Sequence, residues 1–376
     1  MTTYSAATAT AAVVRAPGGP FTLEEVHLDA PHPDEVLVDI AAVGICHTDL
    51  SVRAGRTPGP LPAVLGHEGV GTVRAVGPAV TRVAPGDTVV LTFDSCGRCP
   101  ECRTGRPVRC RHWEHLNLFG GRRLDGSASA YGADGGELNG RFFGQSSFAT
   151  RVLASERNAV PVGRELPVEL LAPLGCGVQT GAGAVLNVLR PEPGDTVAVF
   201  GAGAVGLTAV LAAARLTPAA RIVAVDLLPG RLRLARELGA TDTVDARTED
   251  PAAAIAGLTG GRGAERALET SGSVRALRRA VDALAVGGLC GVVGAPPAGT
   301  EVGLDVPALL ARAPRIVGVN QGDADPARFL PVLAELVRTG RLPIDRLVRT
   351  YPFADIEAAA TAAAGGEAVK PVLLMR

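Results

Sequence analysis

Short stretches in which apolar and polar residues alternate open the chain, and this alternation predicts β-strands. In residues 36–41, Val36, Val38 and Ile40 would occupy one face of a strand and the residues between them the other. Proline and glycine separate these stretches, as they do in all-β domains. Residues 1–45 are therefore predicted to form a lobe built from strands.

The pattern changes at residues 197–207, VAVFGAGAVGL, where a run of small β-forming residues ends at a glycine-rich turn. Gly201, Gly203 and Gly206 form a G-x-G-x-x-G motif, and an apolar helical pattern follows. Asp226 lies twenty residues after the third glycine, at the end of a second apolar run. A strand, a glycine turn, a helix and an acidic residue in this order predict a dinucleotide-binding site.

Each part of this motif has its own physical role. The first glycine permits the tight turn, the second lets the backbone approach a pyrophosphate, and the third lets helix and strand pack closely. The N-terminus of the helix then faces the negative charge of the pyrophosphate.

A membrane span is the competing interpretation of residues 197–214, which form 18 residues without a charge. Three glycines lie in the first half of this stretch, and Asp195 and Arg215 bracket it. A buried parallel strand that leads into a buried helix accounts for these features better.

Strand and helix patterns alternate over residues 195–318, which predicts a doubly wound α/β domain. Cys290 falls in one of the buried-strand patterns, and we interpret it as a core residue. Residues 320–376 return to mixed structure. The further predicted helices are 231–238, 329–337 and 356–364, and the further predicted strands or extended stretches are 267–269, 289–293, 315–319, 346–351 and 371–375.

Length and composition agree with a globular protein of two or three domains. The chain has 376 residues, of which 47% are hydrophobic and 20% charged. Its net charge of −1 gives no electrostatic footprint for nucleic acid or an anionic membrane. Lys370 is the only lysine, which we interpret as a bias of genome composition. The first residues lack the pattern of a signal peptide, so a cytoplasmic protein is expected.

Four of the seven cysteines, Cys96, Cys99, Cys102 and Cys110, lie within fifteen residues in the pattern C-x2-C-x2-C-x7-C. Four thiolates on a short, turn-rich lobe can enclose a metal in a closed tetrahedral site, most often zinc and less often iron or a cluster. Without a secretion signal, this spacing indicates metal binding and not disulfides.

A second group of potential ligands is dispersed along the chain. Taken singly, Cys46 would be a small core residue and His67 a satisfied turn histidine. Together with Cys176, however, they supply one imidazole and two thiolates. This is the ligand set of a catalytic zinc with an open fourth position.

Two segments remain. Residues 111–146 are rich in glycine, arginine and aromatic residues without sustained periodicity, which predicts a long loop region of functional or interface character. Residues 171–185 contain several glycines followed by a helical pattern, and they would connect the β lobe to the nucleotide domain.

These motifs together resemble the zinc-dependent medium-chain alcohol dehydrogenases over nearly the whole chain. The resemblance rests on GHEGVGTVRAVGPAV (66–80), CGRCPECRTGRPVRC (96–110) and the dinucleotide motif with Asp226. Within that family, residues 46–50, 174–188, 293–297 and 346–356 are most similar to aryl- or benzyl-alcohol dehydrogenases and to enzymes for allylic terpenoid alcohols.

The resemblance implies a GroES-like, mostly-β catalytic domain and a Rossmann domain with a doubly wound parallel sheet. The catalytic domain would comprise residues 1–180 and 320–376, with a structural-zinc lobe at about residues 94–112. The NAD-binding domain would comprise residues 181–319. NAD and two zinc ions per chain are the implied cofactors, an alcohol or aldehyde is the implied substrate, and a homodimer or homotetramer is the implied assembly. Nucleic acid and membrane are not expected partners.

The resemblance also assigns roles to single residues. Cys46, His67 and Cys176 would bind the catalytic zinc, with Glu68 and Asp49 beside it, and the four clustered cysteines would bind a structural zinc. Thr48 would take the proton of the alcohol, and Phe93, Thr48 and His67 would line the substrate pocket. The dinucleotide would contact His47, Thr180, Gly201, Gly203, Ala204, Val205, Gly206, Asp226, Arg231, Val293 and Ala295.

Two details refine this expectation. Many family members end the proton relay at a histidine five residues after the first cysteine ligand, but Ser51 stands there in this chain. The relay would then end at His47 or at water. Asp226 would bind the ribose hydroxyls and repel a 2′-phosphate, which favours NAD over NADP.

Several alternatives remain open at this stage. The chain could oxidise an aliphatic alcohol or a thiol–formaldehyde adduct, and the latter activity would require the thiol. A zinc-free reductase of the same superfamily would need none of the zinc ligands. A non-catalytic protein that binds zinc and nucleotide is the alternative from a different functional class.

Overall fold

The computed structural model describes residues 7–375, and this part of the chain forms two compact units. The first unit contains the chain up to Cys176, together with Asp325–Thr339 and the residues from Ile344 onwards. The second contains Gly177–Ala324 and Gly340–Pro343. The domain boundaries given by the resemblance remain a prediction.

The strands of the described residues range from two to ten residues in length. They are β1 (Ala7–Val14), β2 (Thr22–Leu28), β3 (Glu35–Gly44), β4 (Ala63–Val64), β5 (Gly69–Val76), β6 (Thr88–Leu91), β7 (Ala130–Gly132), β8 (Glu137–Leu138), β9 (Arg151–Ser155), β10 (Ala159–Pro161), β11 (Thr196–Phe200), β12 (Arg221–Asp226), β13 (Asp242–Asp245), β14 (Ala264–Glu269), β15 (Leu284–Val292), β16 (Arg315–Gly318), β17 (Val348–Pro352) and β18 (Lys370–Leu374).

The α-helices of the described residues are divided between the two units. They are α1 (His47–Arg53), α2 (Pro100–Arg103), α3 (Val168–Leu171), α4 (Gly177–Gly183), α5 (Ala204–Leu216), α6 (Pro229–Glu237), α7 (Pro251–Leu258), α8 (Val274–Asp282), α9 (Val306–Arg312), α10 (Pro326–Arg338) and α11 (Ile356–Ala364). Single 3₁₀ or π turns occur at Pro107–Arg109, His115–Phe119, Phe142–Gly144, Ala172–Gly175, Ala184–Leu189, Gln321–Asp323, Asp345–Leu347 and Phe353–Asp355. No helix in residues 7–375 is long and apolar enough to cross a membrane.

The first unit is built on two mixed or antiparallel sheets. One has the order β4-β1-β2-β7-β8, and the other has the order β10-β6-β5-β3-β18-β17 with β9 paired to β3. Strand β18 comes from the end of the chain and pairs antiparallel with β3, so Leu373 lies opposite Val43. This pairing brings residues separated by more than 300 positions into one sheet and places Lys370 beneath the end of β3.

The second unit is a six-stranded parallel sheet with the order β13-β12-β11-β14-β15-β16. In order of appearance along the chain, this is the 3-2-1-4-5-6 arrangement of dinucleotide-binding folds. Its central strands are fully buried apolar runs such as Thr196–Phe200, as expected when helices cover both faces of a sheet. The predicted combination of a mostly-β unit and a doubly wound α/β unit is confirmed, and Cys290 is fully buried on β15.

The prediction of one long loop for residues 111–146 was wrong in part. The region contains a π turn, strands β7 and β8, and a 3₁₀ turn, and many of its side chains are buried. Arg123 and Arg141 both reach the carboxylate of Glu35. Elements of two to five residues are too short to show a hydrophobic period, so the sequence pattern did not reveal them.

Candidate functional site

Two groups of side chains in the described part of the chain could each hold a metal ion. The first contains Cys46, His67, Glu68 and Cys176, and the second contains Cys96, Cys99, Cys102 and Cys110. In each group the ligand atoms all lie within 4.8 Å of one another. Both groups lie in the first unit.

Three different elements supply the first group. Cys46 stands at the N-cap of α1, and His67 and Glu68 lie in the turn before β5. Cys176 follows the 3₁₀ turn Ala172–Gly175. The fold therefore gathers ligands that are up to 130 residues apart along the chain.

Asp49 ties two of these elements together. One of its carboxylate oxygens accepts from the backbone N–H of Cys46 at 2.9 Å, which caps the first turn of α1. The other accepts from Gly66 N at 3.1 Å and from His67 Nδ1 at 2.9 Å. Because a carboxylate can only accept, Nδ1 carries the proton and the lone pair of His67 lies on Nε2.

The turn before His67 requires glycine. Gly66 has φ +89°, and a Cβ at this position would lie 2.4 Å from Phe148 N. Any side chain would therefore separate the turn from Phe148 and displace the neighbouring imidazole.

The donor set fits zinc. His67 is buried, and its Nε2 has no hydrogen-bond partner among the described residues. An unpaired buried imidazole nitrogen is costly unless it binds something. Two thiols lie within reach of it, and two thiolates with one imidazole form a known three-ligand set for a catalytic zinc.

A buried ion pair joins Glu68 of this group to Lys370. Lys370 Nζ lies 2.7 Å from Glu68 Oε1 and donates to Ile45 O at 3.2 Å. The side chains of Lys370 and Glu68 are 4% and 0% exposed. The only lysine of the chain is thus placed where its charge compensates a carboxylate at the metal site.

The surroundings of the group stabilise the thiolate of Cys46, whereas they raise the pKa values of His67, Glu68 and Cys176. The Cys176 thiol lowers the pKa of Cys46 by a hydrogen bond, and although burial opposes this, the charge of Lys370 lowers it further. Burial lowers the pKa of His67, but the charge and hydrogen bond of Asp49 outweigh it and leave the pKa raised. Burial raises the pKa of Glu68 despite the opposing charge of Lys370.

The second group forms a compact sulfur cluster. The Sγ atoms of Cys99 and Cys102 are 3.5 Å apart and those of Cys96 and Cys102 are 4.0 Å apart. Backbone N–H groups of Cys102 and Arg111 lower the pKa of Cys99 to about 6. N–H donors aimed at sulfur are typical of closed cysteine sites, because they stabilise thiolates.

The predicted dinucleotide motif lies at the carboxyl end of β11 in the second unit. Asp226 accepts from Ala202 N at 2.6 Å and from Leu228 N at 2.8 Å, which fixes its carboxylate at the glycine turn. A Cβ on Gly206 would lie 1.8 Å from Gly201 O, so the third glycine is required for packing. A Cβ on Gly203 would meet nothing within 4 Å, so the second glycine leaves open space at the turn.

The other predicted site residues are distributed over both units. Thr48 Oγ1 lies 3.8 Å from Cys46 Sγ in α1, and the neighbouring His47 is exposed. The second unit contains Thr180 on α4, Ala204 and Val205 at the start of α5, Arg231 on α6, and Val293 and Ala295 after β15.

Phe93 is buried and lies just after β6. Phe93 lines a cleft beside the four-cysteine lobe together with Cys102 and Pro107. Thr92 donates from Oγ1 to Gly175 O at 2.7 Å, next to Cys176. Thr92 and Phe93 both follow the end of β6, and the predicted role of Phe93 in the substrate pocket stays a prediction.

Comparison with known proteins decides the family. The chain matches the Alcohol dehydrogenase GroES-like domain over residues 32–164 and the Zinc-binding dehydrogenase family over residues 204–338. It is 47% identical to a geraniol dehydrogenase of Castellaniella defragrans, over 97% of both chains. The chain belongs to the zinc-dependent medium-chain alcohol dehydrogenases.

Solved structures support the same assignment. A benzyl alcohol dehydrogenase of Acinetobacter calcoaceticus matches this dehydrogenase with a TM-score of 0.94 and 44% identity, over 98% of this chain and 100% of the other. An alcohol dehydrogenase zinc-binding domain protein of Burkholderia ambifaria matches with a TM-score of 0.96 and 49% identity, over 99% and 100%. The protein is therefore an alcohol dehydrogenase with two candidate zinc sites.

Sequence reasoning missed three residues beside the zinc groups of this dehydrogenase. Lys370 was set aside as compositional bias, although a single lysine in a chain rich in arginine was itself a signal. Thr92, which contacts the backbone next to Cys176, was not identified. Phe143, whose ring stacks on His67 with centroids 4.4 Å apart, lay in the region predicted as loop, and no sequence pattern pointed to it.

Proposed function

We propose that this dehydrogenase oxidises primary alcohols whose carbinol carbon adjoins an aromatic ring or a double bond, with NAD as hydride acceptor and a zinc ion held by Cys46, His67 and Cys176. The observation that carries the proposal is the convergence of the half-buried Cys46 thiol, the buried Cys176 thiol and an imidazole nitrogen without a hydrogen-bond partner within 4.8 Å. The substrate class rests on the relatives named for geraniol and benzyl alcohol.

The chain's own residues prepare the site for this reaction. Zinc, when bound, supplies Lewis acidity toward the alcohol hydroxyl, and NAD supplies the hydride acceptor. Asp49 holds the His67 ring with Nε2 free to coordinate. Lys370 balances the Glu68 carboxylate, so the metal site contains no uncompensated buried charge.

Proton release is assigned to the first turn of α1. The hydroxyl of Thr48 lies next to Cys46 and is only partly buried, so it can take the alcohol proton and pass it outward. Ser51 occupies the position where many relatives have a histidine. The exposed His47, or water, would then receive the proton.

The preference for NAD rests on Asp226. Its carboxylate is fixed by two backbone N–H groups at the glycine turn, where it would accept hydrogen bonds from ribose hydroxyls and repel a 2′-phosphate. The two residues that follow are Leu227 and Leu228, which offer no cation for a phosphate. A ratio of kcat/KM values that favours NADP would contradict this role.

An alcohol panel tests the proposal directly. Purified protein with bound zinc is supplied with NAD⁺ and benzyl alcohol, geraniol, ethanol, or formaldehyde plus glutathione, and NADH formation is followed by absorbance. Benzyl alcohol and geraniol should give the highest kcat/KM. Turnover that depends on the thiol would instead support the adduct dehydrogenase, and turnover of ethanol alone would support an aliphatic enzyme.

Two variants provide the controls for this assay. Cys46→Ser should lose turnover and one zinc ion per chain, because one thiolate ligand is removed. Cys290→Ser changes a buried cysteine of the second unit that belongs to neither metal group, and it should retain both zinc ions. Wild-type turnover in Cys46→Ser would rule out the assigned zinc site.

The proposed homodimer would form along β16. This strand is the outermost strand of the parallel sheet, so its outer edge can pair with another chain. Ile316 on this strand is 40% exposed, and Leu310 on the neighbouring α9 is 81% exposed. Light scattering should give a dimer or tetramer for the wild type and a smaller species for Leu310→Arg.

A further inference from the structure

Aromatic side chains form a continuous path from His67 to the four-cysteine lobe. The ring of Phe143 is stacked on the His67 imidazole, with 4.4 Å between centroids and 24° between planes. Trp113 meets the Phe143 ring edge-on, with centroids 5.9 Å apart. Trp113 also packs against the buried cluster of Cys96, Cys99, Cys110 and Leu116.

The backbone around Phe143 is held in a demanding conformation. Phe143 has φ +50° and the following glycine has φ +66°. Phe143 O accepts from Asn158 Nδ2 at 3.2 Å, and Phe142 N donates to Ser146 Oγ at 2.9 Å. A non-glycine residue stays in the left-handed region only where its surroundings fix it, so the position of the Phe143 ring is well defined.

The same short segment also holds the backbone of His67. Gln145 Nε2 donates to His67 O and to Thr92 O, both at 3.0 Å, and its Oε1 accepts from Gly69 N at 3.1 Å. Residues 142–146 therefore contact the imidazole through the rings of Phe142, edge-on with centroids 5.5 Å apart, and Phe143, and they contact the flanking backbone through Gln145.

The hydrogen bond from His67 to Asp49 does not by itself fix the plane of the imidazole. A single N–H···O bond tolerates a range of angles, so small coupled changes of χ1 and χ2 can still tilt the ring. A stacked ring removes this freedom because it fixes the plane of the imidazole. Both constraints together determine where the Nε2 lone pair points.

We propose that Phe143 and Trp113 are positioning residues that orient His67 for zinc binding and couple its orientation to the metal state of the four-cysteine lobe. The inference rests on the proposed zinc site at Cys46, His67 and Cys176. It also gives a role to residues 111–146, which contain neither the proposed metal ligands nor the dinucleotide motif.

Cobalt(II) substitution tests the positioning role, because its visible absorption bands report ligand geometry. The spectrum of the Cys46→Ser protein is subtracted to isolate the first metal group. Phe143→Leu should shift the difference spectrum and weaken cobalt affinity about tenfold. Phe143→Tyr keeps the stacked ring and should retain both properties.

Phe119→Leu serves as the matched control. Phe119 lies in the same region, is 43% exposed and belongs to none of the ring contacts around His67. It should behave as wild type. Identical cobalt spectra and affinities for wild type, Phe143→Leu and Phe119→Leu would overturn the proposal.

The fluorescence of wild-type protein tests the coupling without any change at Phe143. Trp113 is the only tryptophan of the chain, so its emission reports this path alone. When zinc is added to protein whose four-cysteine site is already loaded, the emission should change as the second equivalent binds. The Cys46→Ser protein should show no such change.

The outcomes separate this inference from the proposed function. If the second equivalent binds but leaves the Trp113 emission unchanged, the coupling is refuted and the zinc site stands. If no second equivalent binds to wild-type protein, the zinc site itself is refuted. If Phe143→Leu fails to fold, the fluorescence result on wild-type protein still decides the coupling.

Discussion

Lys370→Met is expected to destabilise the first unit strongly. The substitution keeps the length of the side chain but removes the cation that lies 2.7 Å from Glu68 Oε1. Both partners are almost completely buried, so water cannot replace the lost charge. Removing one partner of a buried ion pair costs about 3–5 kcal/mol.

Protonation of Glu68 sets an upper limit to this cost. An unpaired buried carboxylate can take up a proton. For a carboxylate with a pKa of about 4.3 in the unfolded chain, the free-energy cost of protonation at pH 7 is about 3.7 kcal/mol. The expected loss is therefore about 3–4 kcal/mol at pH 7. In the variant, the folded pKa of Glu68 is raised above the unfolded value, so the penalty is absent below about pH 4.3 and grows as the pH rises.

Urea unfolding followed by Trp113 fluorescence measures this loss, because the tryptophan and the ion pair lie in the same unit. With a slope of about 3 kcal/mol per molar urea, the midpoint should fall by roughly 1 M at pH 7 and by much less at pH 5. Zinc concentration is held fixed, since metal binding adds to stability.

The double variant Lys370→Met/Glu68→Gln is the matched control. It removes both charges, so most of the lost stability should return, as is found when a buried ion pair is replaced as a whole. A midpoint for Lys370→Met within about 0.2 M of wild type, independent of pH, would refute the reasoning.

Three further predictions follow from the contacts. Burial raises the pKa of Glu35, but the Arg123 hydrogen bond and the charges of Arg141 and Arg123 outweigh it and leave the pKa lowered. The contribution of Glu35 to stability is therefore present above about pH 4.3 and lost in acid. Glu35→Gln should lose about 3 kcal/mol at pH 7, and its stability in urea unfolding should fall less steeply as the pH is lowered. Gly206→Ala should unfold the second unit or destabilise it by several kcal/mol, whereas Gly203→Ala should keep wild-type circular dichroism and lose dinucleotide affinity in calorimetry. Asp49→Asn should weaken zinc binding about 10- to 100-fold in chelator competition, and unchanged affinity would contradict its orienting role.

The sequence predicted those parts of the site that local patterns encode. The spacing of four cysteines predicts a metal lobe, and three glycines with Asp226 predict a nucleotide turn, because each motif is complete within about thirty residues. The convergence of Cys46, His67 and Cys176 was predicted from ligand chemistry and family resemblance together.

The remaining features depend on contacts between distant residues. Lys370 reaches Glu68 across 302 positions only because β18 pairs with β3, and no local pattern encodes this pairing. Phe143 reaches His67 through a segment of single turns, where hydrophobic periodicity carries no information. Thr92 contacts Gly175 O across 83 positions, and no local motif encodes this contact.

The burial of Lys370 also determines how the protein reacts with reagents that modify lysine side chains. All other basic residues except histidine are arginines, so acylating reagents and amine cross-linkers find no exposed lysine on this chain. The single ε-amine becomes reactive only when β18 separates from its neighbours. The rate of its acylation would therefore report how often the closing strand of the first unit opens, without any engineered label.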